Sequence, residues 1–205
     1  MIDSLRPSLV MMMACAMAAG ALSAWPHPAR AAGPDDQRSI ERPAEPGIDI
    51  HSTRTSLRDE VYYLDAAIEY RFGKAIEEAL PKGVAIPIIV GIEIERERSY
   101  MWNETIASLE QRYALEYHAL SRQYIVRNVN IGTQSAYPSL DAAIAALGEI
   151  NHLPLIDVNL LTPGETYIGR LQARIDINQL PVPLRLLAVV SPEWRLSSEW
   201  YEWRF

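Results

Sequence analysis

Residues 84–98 (VAIPIIVGIEIERER) alternate in twos. Val84, Ile86, Ile88, Val90, Ile92 and Ile94 fall on one side of an extended chain, while Glu93, Glu95 and Glu97 fall on the other. A β-strand sends successive side chains to opposite faces, so this pattern suits a strand; a helix would scatter the same residues around its circumference. The strand starts apolar on both sides and ends charged, with Arg96 and Arg98 alternating with the glutamates, so it begins deeply buried and ends wet. The rest of the chain must supply partners for it.

Those partners are legible as further alternating runs. Residues 48–57 and 61–72 predict a hairpin across Arg58-Asp59-Glu60. In residues 109–119, Leu109, Tyr113, Leu115, Tyr117 and Ala119 face inward, and Glu110, Arg112, Glu116 and His118 face outward. Residues 122–129 follow at once as the next strand of a meander. The turn Asn130-Ile131-Gly132-Thr133 then leads into residues 134–137. Two more strands, 153–161 and 166–177, are joined through Thr162-Pro163-Gly164-Glu165. Two helices interrupt them. Residues 73–80 form a short one stopped by Pro81 and Gly83. Residues 139–149 form a stronger one, with Ser139 as N-cap, Asp141 in the first turn, and Leu140, Ala143, Ile144 and Leu147 on one face. The fold class is mainly β (α+β): an antiparallel β-sandwich-like single domain of seven or eight strands with two short helices, spanning 48–205.

Ahead of that domain, residues 8–25 (SLVMMMACAMAAGALSAW) are uncharged and apolar, preceded by Arg6 and followed by Pro26, Pro28 and Ala29-Arg30-Ala31. The order matches a secretory signal peptide over 1–31, cut after Ala31 or Ala32. The alternative is an uncleaved inner-membrane anchor, since 18 apolar residues approach the length of a spanning helix. Residues 32–47, rich in Gly, Pro and mixed charge, read as a disordered linker. Without 1–31 the chain loses Arg6, Arg30 and Asp3, leaving 17 basic against 25 acidic residues, so no positive field gathers phosphates and nucleic acid is not an expected partner. The only cysteine, Cys15, lies in the leader. A mature periplasmic domain would therefore hold together by its core, without disulfides.

Three stretches carry a wider likeness. They are Leu180-Pro181-Val182-Pro183-Leu184-Arg185-Leu186-Leu187-Ala188 running into Ser191-Pro192-Glu193-Trp194-Arg195-Leu196-Ser197-Ser198-Glu199-Trp200-Tyr201-Glu202-Trp203; Trp102-Asn103-Glu104-Thr105 leading to Ser108-Leu109-Glu110-Gln111-Arg112-Tyr113; and Tyr117-His118-Ala119-Leu120-Ser121-Arg122-Gln123-Tyr124. Together they resemble the domain of unknown function 4390 family across residues 48–203. The resemblance implies an exported proteobacterial protein. The genes of that family often neighbour a membrane sensor histidine kinase of the nitrogen-regulation type. It implies no activity and no catalytic residues.

Chemistry has few footholds in this sequence. It holds no Gly-x-Ser-x-Gly elbow, His-Glu-x-x-His pair or phosphate-cradling glycine loop. Glu116 and His118 share a strand face, and a third ligand such as His152 or Asp157 would be needed for a metal. Glu93, Glu95 and Glu97 read as a ladder against solvent. No catalytic, cofactor or metal site is predicted. The density of rings at the C-terminus, Trp194, Trp200, Tyr201 and Trp203 with Arg195 between them, marks either core packing or a partner-contact patch. The reading favours a non-enzymatic envelope module that binds a protein partner, a sensor histidine kinase among the options, with membrane contact only through a retained leader. A periplasmic enzyme with an unrecognised site is the alternative from another class. A small outer-membrane β-barrel is a third, although the two helices and Pro87 inside a strand sit poorly with it.

Overall fold

The computed structural model describes residues 45–205; the leader and most of the linker expected from sequence lie outside them. Nine strands and three α-helices occur among the described residues. Strands β1 (Gly47–Arg58), β2 (Val61–Arg71) and β7 (Glu149–Asp157) form a three-stranded sheet in the order β1-β2-β7. Strands β3 (Ile86–Arg96), β4 (Glu104–His118), β5 (Gln123–Asn128), β6 (Gln134–Tyr137), β8 (Tyr167–Ile175) and β9 (Tyr201–Arg204) form a six-stranded sheet in the order β6-β5-β4-β3-β8-β9. Every pairing is antiparallel, and neither sheet closes on itself.

The strand expected to begin deeply buried lies in the interior of the larger sheet. β3 pairs with β4 on one side and β8 on the other, and Ile86, Ile88, Val90, Ile92 and Ile94 are fully buried along one face. They meet Leu64, Ala66, Ile68 and Tyr70 from β2, which pack in the same core. Burying each aliphatic side chain is worth about 1.5–3 kcal/mol, so this one face anchors the domain.

Helix α2 (Leu140–Leu147) packs against both sheets, with Ser139 Oγ accepting the N–H of Ala142 at 3.2 Å as the predicted cap. At its end the Gly148 carbonyl accepts the N–H of Ile68 at 2.8 Å, so close to β2 that a Cβ at Gly148 would collide with the Ile68 carbonyl. Helix α1 (Lys74–Ala79) lies beside the 3-10 turn Pro192–Trp194.

Several sequence expectations need correcting. The strand expected at 153–161 starts directly after α2, at Glu149, and gives way to a 3-10 turn at Val158–Leu160. It does not pair with β8. The Pro163-Gly164 turn instead carries the chain from one sheet to the other, because β7 borders β2 and β8 borders β3. β4 begins at Glu104, so the 104–108 stretch is strand as well. Ala119 is exposed in the β4–β5 turn, where alternation has already ended. A third helix, α3 (Val182–Val190), was hidden by Pro181 and Pro183: proline fits at a helix start as well as in a loop.

Candidate functional site

The C-terminal rings take separate places. Trp194 is buried at 5% exposure in the turn after α3, and Arg195 beside it is exposed. Tyr201 and Trp203 are half-buried on the inward side of β9, opposite Leu171 and Gly169 of β8. The Trp203 indole N–H donates to Thr55 Oγ1 of β1 at 2.6 Å, and Phe205 packs on Tyr62 with ring centroids 5.0 Å apart and the rings tilted by 59°. These groups close the seam between the sheets. Trp200 stands by itself on the outer side, with the guanidinium carbon of Arg170 4.7 Å from its ring centroid.

Arg170 organises that outer surface. Its Nη1 lies 3.1 Å from Glu95 Oε1 and 3.5 Å from Glu93 Oε2, and its Nε lies 3.1 Å from Glu202 Oε1 as an ion pair without hydrogen-bond alignment. Glu93 and Glu95 are therefore not a ladder against solvent: β8 and β9 bring a shared cation to them. Asn103 Nδ2 donates to the other oxygen of Glu95 at 3.1 Å. Through Asn103 the cluster reaches the β3–β4 hairpin tip, where Tyr100 is 99% exposed, Met101 71% and Trp102 76%. The base of the tip is pinned by ion pairs. Arg96 and Arg98 both grip Glu104, and the Arg96 hydrogen bond holds the Glu104 carboxyl below the usual carboxylate range. Arg204 pairs with Glu97 at 3.2 Å.

The arrangement is suited to contact. An arginine ringed by three carboxylates has its charge already met, and no base among them stands free beside a nucleophile. Trp, Tyr and Arg on a braced tip are the side chains that supply most binding energy at protein interfaces. Sequence reasoning found Trp200 and noted Trp102, but missed Tyr100, Met101 and Arg170. Three consecutive large apolar residues breaking the alternation between Arg98 and Asn103 were the signal available.

The described histidines sit elsewhere, two of them paired with acids. His51 Nε2 lies 2.8 Å from Glu69 Oε2 across β1 and β2, and together with Arg71 it lowers the Glu69 pKa. His152, at a positive φ of 51° in β7, donates its backbone N–H to Asp65 Oδ1 at 2.8 Å, with its Nδ1 3.5 Å from the same oxygen. His118 faces Ser121 Oγ at 3.1 Å. Among the described residues no three His, Cys, Asp or Glu side chains gather as a metal site.

The family profile described as Domain of unknown function (DUF4390) matches residues 45–204. The chain belongs to that family. The matched span of this DUF4390 protein takes in all nine strands, including the hairpin tip and the Arg170 cluster. No curated protein and no solved structure matches it.

Proposed function

We propose that this DUF4390 chain is an exported, non-enzymatic contact module of the cell envelope. It presents the hairpin tip and the Trp200–Arg170 face to a protein partner in the periplasm. The observation that carries the reading is the near-complete exposure of Tyr100, Met101 and Trp102 on a tip braced at its base by ion pairs. Leaving such side chains in water costs hydrophobic free energy that a partner would recover. Of the C-terminal patch, Trp200 extends this face and Arg195 lies apart from it. The leader over 1–31 supports export, and a membrane sensor histidine kinase is the partner that the family resemblance suggests. A photo-crosslinking amino acid at Trp102 of the full chain in living cells tests this. Adducts to a sensor kinase are expected at position 102 and not at Glu149 on the opposite sheet; equal yields at both positions, or none at 102, would refute it.

A second reading has one observation of its own. His152 and Asp65 border an open groove of about 510 Å³ that also contains Ser52 and Glu149, residue types that a hydrolytic site uses. A hydrolase activity lost in His152→Ala would favour it.

A further inference from the structure

Helix α3 (Val182–Val190, VPLRLLAVV) is turned almost inside out. At about 100° per residue, Leu184 and Ala188 share the side that packs on the core, Ala188 buried and Leu184 half-buried. Val182, Leu186, Leu187, Val189 and Val190 are exposed, Leu186 at 70% and Val190 at 75%. The outward arc is apolar apart from Arg185, which is exposed at its edge. Arg185, the single polar residue of the helix, turns its guanidinium to the Leu180 carbonyl at 3.2 Å.

The helix start is also prepared for a dry setting. Pro181 and Pro183 have no N–H, and the N–H groups of Leu184 and Arg185 both reach the Pro181 carbonyl, at 2.9 and 3.0 Å. Free donors are what make a helix end costly to withdraw from water, and few remain here.

The place of α3 in the fold points to what covers it. The turn Pro192–Trp194 follows α3 directly, and Glu193 in it accepts the N–H of Ala75 at 3.0 Å. A Cβ at Gly73 would sit 2.9 Å from Glu193 Oε2 and 3.2 Å from Pro46 Cγ. The first described residues therefore enter the domain near the turn that follows α3, and in the sequence residues 26–45 lead back from there to the apolar run 8–25. The hairpin tip lies at the opposite end of β3, an 11-residue strand and so roughly 35 Å away.

We infer that α3 is a lipid-contacting helix, lying on the bilayer in which residues 8–25 stay when they are kept as the uncleaved anchor, the reading of the leader on which this inference rests. This goes beyond the contact reading above, since it assigns a lipid surface to the end remote from the tip. A second copy of the chain is the poorer occupant. A nine-residue helix is about 14 Å long and 10 Å across, far short of the roughly 800 Å² per partner that a stable dimer buries. A lipid surface needs less, because a retained N-terminal anchor would raise the effective concentration of the helix at the bilayer.

The test uses the full chain carrying Cys15→Ser, which leaves no native thiol. Leu186→Cys or Met101→Cys then takes an environment-sensitive fluorophore, and the protein is reconstituted into phosphatidylethanolamine/phosphatidylglycerol vesicles. Labelled position 186 should brighten several-fold, shift to the blue and be quenched by lipids with a quencher on the acyl chain, while position 101 should not change. Near-UV circular dichroism checks the fold, and Val190→Cys serves as a second reporter if Leu186→Cys misfolds. No change at the α3 positions would overturn the inference. A shift there that acyl-chain quenchers leave untouched would do so too, because it would mean protein contact. Neither result bears on crosslinking at Trp102, so the two readings fail separately.

Discussion

The indole N–H of Trp203 donates to Thr55 Oγ1 at 2.6 Å, tying the last strand to the first across the two sheets. β9 has only four residues, so side-chain contacts of this kind, together with the Phe205 ring on Tyr62, hold it against β1 and β2. Trp203→Phe keeps an aromatic ring but removes the donor and part of the indole, so the coupling in the cycle below, rather than the single-variant loss, reports the bond. The variant should lower the unfolding free energy by about 1 kcal/mol in urea denaturation. In a double-mutant cycle with Thr55→Val the two effects should be strongly non-additive; simple additivity would show that the bond contributes nothing.

Gly169 faces the Trp203 ring, and a Cβ there would overlap it. Gly169→Ala should cost about 1–3 kcal/mol by forcing the indole aside. Gly148→Ala should cost at least as much, since its obstacle is the backbone carbonyl of Ile68 rather than a side chain that can rotate. Thermal unfolding of the two variants checks the order.

The β1–β2 turn holds Asp59 at φ 47° and Glu60 at φ 63°, both left-handed without a glycine. Such turns favour Asn-Gly or Asp-Gly, and a non-glycine residue there costs about 1–2 kcal/mol. Glu60→Gly should therefore raise stability by about 0.5–1 kcal/mol, measured as an increased denaturation midpoint at unchanged slope.

Tyr70 is buried and its hydroxyl has no hydrogen-bond partner. Burial raises its pKa above the usual tyrosine value. The unfolded chain ionises this group near pH 10 while the folded chain keeps it neutral. Its contribution to stability is thus complete below that pH and falls as pH rises further. Denaturation between about pH 8 and pH 11 should show a loss in the parent that shrinks in Tyr70→Phe. At neutral pH the variant should be as stable as the parent or more so, because an unpaired hydroxyl no longer has to be desolvated.

How far the sequence led depends on the range over which each signal acts. The alternation of Ile86 to Ile94, the β1–β2 hairpin and the Ser139 cap are local patterns, and the structure keeps all three. Which strand borders which is not local. Pro163-Gly164 marks a turn equally well within a sheet or between sheets, so the separation of β7 from β8 was out of reach. The candidate face fared similarly. Trp200 stood out by type, but Arg170 joins Glu93, Glu95 and Glu202 only after three strands align. Trp194 and Trp203 look alike in sequence, yet one fills the core and the other bonds to Thr55.

The most direct test of the contact account is recovery of cross-linked partners from cells carrying the full chain or its Trp102→Ala, Trp200→Ala variant. Trp102 is 76% exposed, whereas Trp200 is 36% exposed and lies under Arg170, so the variant should lose about 1–3 kcal/mol of unfolding free energy and still fold. The account predicts that the variant folds, reaches the envelope and loses the partner that the parent retains. Equal recovery of that partner by both proteins would contradict it.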